Sequence, residues 1–350
     1  MWIILAGLVL NISFNFVRGD PKVPCHFIFG DSLFDVGNNN DLNTYAKANY
    51  PPYGIDFPGG VATGRFTNGL TTSDVLTKLL GFEELIPPFS NVSGAMILKG
   101  VNYASGSSGI RPETGSHLGD RIWLGKQVEQ HESTIEELSS LVEGQDSEYL
   151  NKCLYSVNTG SNDYINNYFM PNLYPTSNVS TPDQFATQIV DEYRQLLEVL
   201  YSYGARRTAI FGLGMIGCIP AEVEQHNKKG QCIEEVNDAV KLFNNKLLNL
   251  IDYFNSMLSG ANFTFIDVMG MQFTMNLVPG MKQAIPCCKI RRSDFQCIPS
   301  SKPCKLRMIS TFFDGFHPTE SLNVLTAKIS FRSPLRTFVH PIDINTLIRI

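Results

Sequence analysis

Several things are missing from this 350-residue chain, and each absence removes a class of function. It contains no dense run of lysine or arginine, and its formal charge is −5, so nucleic acid is not an expected partner. Its more basic positions, Arg291-Arg292 and Lys302 to Arg307, are scattered and read as solvated surface. An acidic chain of this kind is also a poor match for tight association with anionic membranes. The eight cysteines have no Cys-x-x-Cys spacing and the six histidines are dispersed, so neither a metal array nor a cofactor is expected. Past the N-terminal segment no apolar run approaches the roughly 20 residues that cross a bilayer, which argues against integral membrane association. Internal repeats, low-complexity blocks and a second domain are also lacking.

What is present fits a globular secreted protein. A hydrophobic fraction of 43% supports a sizeable core. The apolar stretch Trp2 to Leu10, continuing intermittently to Val17, reads as a signal peptide. Asn11, Ser13, Asn15 and Arg18 interrupt it too often for a membrane anchor, and Gly19 offers the small residue a cleavage site needs. The expected organisation is therefore a signal peptide over residues 1–19 and one domain over 20–350, with secretion as the destination. An oxidising compartment makes disulfides the natural state of an even cysteine count. Cys25 and Cys153 each begin a strand, and they can meet if those strands are neighbours. Cys218 and Cys232 close a local loop. Cys287, Cys288, Cys297 and Cys304 pair among themselves in an order the sequence leaves open. Asn91, Asn178 and Asn262 head glycosylation sequons.

Apolar runs alternate with helical patterns in the manner of βαβ units. Strands are expected at Phe27–Phe29, 97–104, 152–159, 207–212 and 263–268. Helices are expected over 70–80 and 121–141, from a capping box at Thr181-Pro182-Asp183-Gln184, from Val236 to Phe254, and after Pro318. This implies an α/β fold: a single-domain, three-layer α/β/α sandwich around a mostly parallel five-stranded sheet. The stretches Pro51-Pro52-Tyr53-Gly54 and 168–180 read as surface loops that shape substrate access.

Four segments carry the chemistry. Phe29-Gly30-Asp31-Ser32-Leu33 ends a buried strand on an acid and a serine, at the sheet edge where open α/β folds bind ligands. Asp314-Gly315-Phe316-His317-Pro318 places a carboxylate three residues before a histidine, and none of the other five histidines has that arrangement. A serine nucleophile needs such a base, and the base needs such an anion. Gly160-Ser161-Asn162-Asp163-Tyr164 puts an amide donor at the end of a second strand, where a developing oxyanion can be met. Gly100 to Gly109 is a glycine-rich loop with amides to offer. Each segment alone also reads as an ordinary turn or helix cap; the four together do not.

In these motifs the chain resembles a plant-type GDSL esterase/lipase of the SGNH hydrolase superfamily, over about residues 24 to 330. Asp35-Val36-Gly37-Asn38-Asn39-Asn40, Gly64-Arg65-Phe66-Thr67-Asn68-Gly69 and Phe211 to Pro220 add to the likeness. The resemblance implies a flavodoxin-like SGNH fold. It implies Ser32 as nucleophile, His317 as general base and then acid, and Asp314 as the partner that orients it. It also implies an oxyanion hole built from the Ser32 amide, the Asn162 side chain and a glycine amide, Gly106 or alternatively Gly109. The chain departs from the family's usual pattern at Phe313, where tryptophan is common, and at Gly315, where alanine is; both changes bear on packing. The expected activity is hydrolysis of small or polymeric carboxylic esters through an acyl-serine. The alternatives are acyl transfer to a sugar or alcohol, or a silent binding protein.

Overall fold

The computed structural model describes residues 20–228, 230–276 and 282–350. The expected signal peptide, residues 1–19, lies outside them. A five-stranded sheet forms the centre. Its strands are β1 (His26–Gly30), β2 (Leu154–Asn158), β3 (Arg207–Phe211), β4 (Asn262–Ile266) and, at one edge, β7 (Val339–His340). The first four are parallel and in sequence order, and β7 runs antiparallel to β4. Two further strands, β5 (Lys282–Pro286) and β6 (Ser310–Phe312), pair as a separate ribbon.

The strand pattern explains the layers. Side chains alternate across a sheet with period two. Phe27, Phe29, Tyr155, Val157, Ile210, Phe263 and Phe265 enter one core. Ile28, Leu154, Ala209, Phe211 and Ile266 enter the other. The first core is closed by α2 (Leu124–Leu141), α3 (Pro182–Ser202) and α4 (Glu234–Met257), and the second by α1 (Thr72–Leu79), α5 (Val268–Asn276) and α6 (Glu320–Phe331). The capping box expected at Thr181 is formed: the Gln184 amide donates to the Thr181 hydroxyl, and the Thr181 amide to the Gln184 side chain. Phe185, Ile189, Tyr193, Leu197 and Leu200 of α3 are buried, one stripe of a 3.6-residue period.

Three local expectations are corrected. Residues 97–104 do not form a sheet strand. Gly94–Lys99 coils into a 3₁₀ turn, and the remainder only skirts β1, with an isolated bridge between Asn102 and Ile28. The fifth strand is instead the short β7. The 168–180 segment is not simply surface, since Tyr168 and Tyr174 are buried and Thr176–Val179 is a short helix. Tyr53, expected on an access loop, is 1% exposed. The disulfides are Cys25–Cys153, Cys218–Cys232, Cys287–Cys304 and Cys288–Cys297. Cys25 and Cys153 meet because β1 and β2 are neighbours in register, with His26 opposite Leu154.

Candidate active site

β1 is buried at all five positions and delivers Asp31 and Ser32 to the carboxyl edge of the sheet. Gly30, the last strand residue, has φ +151°, and a Cβ there would lie 2.2 Å from the Asn158 carbonyl oxygen of β2. Only glycine permits that approach. Gln127 of α2, fully buried, reads both polar groups of Gly30. Its Oε1 accepts from the Gly30 amide at 2.9 Å, and its Nε2 donates to the Gly30 carbonyl at 2.8 Å. The amide of Ser105 and the hydroxyl of Ser108 donate to the same carbonyl. The end of β1 and the glycine-rich loop are thus fixed to one another.

The second reacting segment follows β6. Asp314 is fully buried and collects three donors besides the imidazole of His317. Its Oδ1 accepts from the backbone amides of Phe316 and His317, each at 2.8 Å. Its Oδ2 accepts from the Tyr53 hydroxyl at 2.6 Å. The His317 ring Nδ1 lies 2.8 Å from Oδ2 and 2.9 Å from Oδ1. The opposite ring nitrogen, Nε2, lies 2.7 Å from the Ser32 hydroxyl. Burial alone would raise the Asp314 pKa. The positive field and hydrogen bond of His317, with the bonds from Tyr53 and Phe316, outweigh it and hold the carboxyl below its ordinary range. An ionised Asp314 facing Nδ1 fixes that nitrogen as the donor and leaves Nε2 free to accept from Ser32.

The Gly64 to Gly69 motif builds the seat of this imidazole. Phe66 lies against it with ring centroids 4.9 Å apart, Thr67 donates to the Pro318 carbonyl, and Asn68 accepts from the Glu320 amide. Arg65 anchors the motif through a buried two-bond contact to Asp74, its Nε and Nη2 lying 2.7 and 2.8 Å from the carboxylate. Gly315 is needed here because a Cβ would meet Phe295 at 2.5 Å. Phe313 is buried edge-on against Tyr53. At Gly315 the local packing thus leaves no room for a Cβ, and Phe313 is enclosed in one core with Tyr53.

The glycine-rich loop is strung between two buried carboxylates. Asp35 accepts from the amides of Gly37, Asn38 and Gly106. Asp163 accepts from the amides of Ile110 and Arg111 and from the Thr114 hydroxyl. Burial raises both to about 6, against these donors. The Gly106 amide, expected to face an oxyanion, is already engaged by Asp35 at 2.9 Å and has no second hydrogen to offer. The next amide along, that of Ser107, makes no hydrogen bond among the described residues, and neither does that of Ser32. Ser107 holds a left-handed backbone, φ +62°. The Asn162 side-chain amide donates once, to the Ser108 carbonyl at 2.9 Å, while its oxygen accepts from Asn166. One Nδ2 hydrogen remains.

Two residues of this assembly were not picked out in the sequence. Gln127 is a polar side chain on the apolar face of α2, a signal that a helical projection of residues 121–141 could have exposed. Tyr53 sits 261 positions from Asp314 in a proline-glycine loop, and no local pattern marks it. The other buried histidines are structural. His26 bonds to Thr77 and Ser156, His131 packs among Phe27, Phe29 and Tyr103, and burial lowers both to about 3. No group of side chains suited to a metal ion occurs among the described residues.

Comparison with known proteins bears on the same segments. The family described as GDSL-like lipase/acylhydrolase matches residues 27–329. Two Arabidopsis thaliana proteins, each named as a GDSL esterase/lipase, are similar over their whole length. One is 44% identical over 357 residues, covering 99% of both chains. The other is 45% identical over 359 residues, covering 100% of this chain and 97% of that one.

Proposed function

The chain belongs to the GDSL-like lipase/acylhydrolase family, and from that premise we propose that it is a secreted esterase acting through an acyl intermediate on Ser32. Membership makes it a carboxylic ester hydrolase. The observation that carries the acyl-serine route is the continuous contact Ser32–His317–Asp314.

In this route the Ser32 oxygen attacks the ester carbonyl while His317 Nε2 takes its proton. Asp314 stabilises the imidazolium without itself taking the proton. The tetrahedral oxyanion is met by the amides of Ser32 and Ser107 and by the free Nδ2 hydrogen of Asn162. Ser107 replaces Gly106 in this reading because its amide has no other partner. The ester C–O bond then breaks, His317 returns its proton to the departing alcohol, and an acyl-Ser32 remains. Water, deprotonated by His317, attacks that acyl group, and the acid leaves as Ser32 regains its proton.

The four disulfides and the apolar N-terminal segment support secretion. No helix among the described residues is long and apolar enough to cross a membrane. Asn91 and Asn178 are exposed and open to glycosylation, whereas Asn262 is half-buried at the start of β4.

The test is hydrolysis of a short-chain nitrophenyl ester by the wild type and by Ser32→Ala. Loss of about 10⁴-fold or more in turnover is expected, the scale seen when a nucleophile is removed. Retained turnover in a folded Ser32→Ala protein would overturn the assignment.

A further inference from the structure

The basic residues that look scattered in the sequence are gathered by folding. Between Lys289 and Arg307 there are six cations and one carboxylate, a local charge of +5 in a chain whose formal charge is −5. The disulfides Cys287–Cys304 and Cys288–Cys297 fold this stretch into one small module. Within it the Cys304 amide bonds to the Cys287 carbonyl, and the Ile298 amide to the Lys289 carbonyl. Two cations are used internally: Arg291 pairs with Asp294, and Arg307 with Asp56. The other four, Lys289, Arg292, Lys302 and Lys305, are exposed and form no ion pair among the described residues.

Large apolar side chains share the module. Leu306 is 63% and Met308 69% exposed, on either side of the Arg307 that Asp56 holds in place. Ile298 and Ile309 are also exposed. A single exposed leucine means little, but clustered aliphatics among free cations need a partner that satisfies both. Nucleic acid or an acidic polysaccharide would use the charge and leave the aliphatic side chains in water. An anionic lipid surface uses both: head groups pair with the cations, and the aliphatics enter the acyl boundary.

The module is also fastened to the reacting segment. The Cys288 amide bonds to the Phe313 carbonyl, Phe295 bonds through its carbonyl to the Gly315 amide, and the Cys297 amide donates to the Tyr53 hydroxyl, which itself donates to Asp314. A surface that holds the module holds the Asp314–His317 loop beside it.

We propose that the disulfide module around residues 287–309 is a docking surface for an anionic lipid interface, with Leu306 and Met308 inserted and Lys289, Arg292, Lys302 and Lys305 over the head groups. Binding itself does not depend on the esterase reading; that reading gives it a purpose, which is to place the reacting loop where lipid esters are. This docking surface runs against the expectation drawn from the acidic net charge, because net charge says nothing about a local concentration of one sign.

The test is co-sedimentation of the full mature chain with phosphatidylcholine vesicles, with and without phosphatidylserine. The Ser32→Ala protein is run in parallel, so binding is read without hydrolysis. Binding should require phosphatidylserine and weaken with salt. Each basic residue near such a surface contributes about fivefold to partitioning, so the triple substitution Arg292→Glu, Lys302→Glu, Lys305→Glu should weaken it by roughly 100-fold or more. Leu306→Ser with Met308→Ser should weaken it separately, while thermal unfolding and turnover of a soluble nitrophenyl ester stay at the wild-type level. Absence of vesicle binding would overturn the proposal. So would binding that ignores the Leu306 and Met308 substitutions and is matched by a soluble polyanion such as polygalacturonate, since that marks a polysaccharide site. An inactive but vesicle-binding wild type would defeat the esterase reading alone.

Discussion

Tyr53 shows how much of the site depends on one hydroxyl. It is fully buried, and its pKa is pushed well above the ordinary value by burial and by the neighbouring Asp314 and Tyr50, so it remains a donor at any working pH. Its bond to Asp314 is charge-assisted, a class worth about 1.5–3 kcal/mol. Tyr53→Phe keeps the ring against Phe313 and removes the hydroxyl that donates to Asp314 and accepts from the Cys297 amide. Turnover is expected to fall roughly 10- to 100-fold. The acidic limb of the pH–rate profile should move to higher pH, since a carboxylate with fewer donors draws the imidazolium proton more strongly. An unchanged rate and an unchanged profile would show that the contact only packs. Ser107 makes a second point at this scale. A non-glycine residue at φ +62° is strained by about 1–3 kcal/mol. Here the bonds to Asp35 on one side and to Asp163 on the other hold it in place.

Among the elements, the loop before α1 and the helix itself act as one unit. Asp74 is the third helical residue of α1; it closes the capping box with Thr71 and takes two bonds from Arg65. Burial raises its pKa, but Arg65 and the Thr71 bonds outweigh this and leave it lowered. Removing one partner of a buried ion pair leaves the other uncompensated. Arg65→Ala should therefore cost on the order of 3–5 kcal/mol in urea unfolding, and activity should fall with it, because Phe66 and Thr67 lose their anchor beneath His317. A loss below about 1 kcal/mol would place the pair among ordinary surface bridges. Elements with a strong local code were legible in the sequence. The α3 capping box, the apolar stripes of α3 and α4, and the four parallel strands all announce themselves by period and punctuation. Ser32, Asp314 and His317 stand out in the sequence through their motifs and the scarcity of histidine, and folding brings the three into one hydrogen-bonded contact. Residues 97–104 were misread because an apolar run beside Gly100 satisfies a strand pattern without a full ladder. β7 was missed because two residues carry no period. Gly106 was chosen by residue type, and only the tertiary bond from Asp35 shows that its amide is spent.

For the molecule as a whole, three buried acids around the site set a pH dependence. Burial raises Asp31 to about 7, against the bond from the Leu33 amide, and raises Asp35 and Asp163 to about 6. A carboxyl with a raised folded pKa binds more protons folded than unfolded, so its contribution declines as pH rises from about 4 to about 7. Asp314 and Asp74, with lowered values, lose theirs as pH falls below the ordinary carboxylate range. The melting temperature should therefore be higher at about pH 5 than at about pH 8. Asp31→Asn keeps an acceptor for Leu33 and cannot ionise, so it should shrink that difference; an undiminished difference would mean that other groups set it. The site itself is a property of the whole chain, because Ser32 and His317 stand 285 residues apart and meet only after folding. The most direct test of that meeting is intact-mass and peptide analysis after exposure to an alkyl phosphonate ester that traps activated serines. One phosphonyl adduct is expected, on Ser32, formed at a rate that collapses in His317→Ala. Labelling of another serine, or equal labelling of Ser32 without His317, would contradict that expectation.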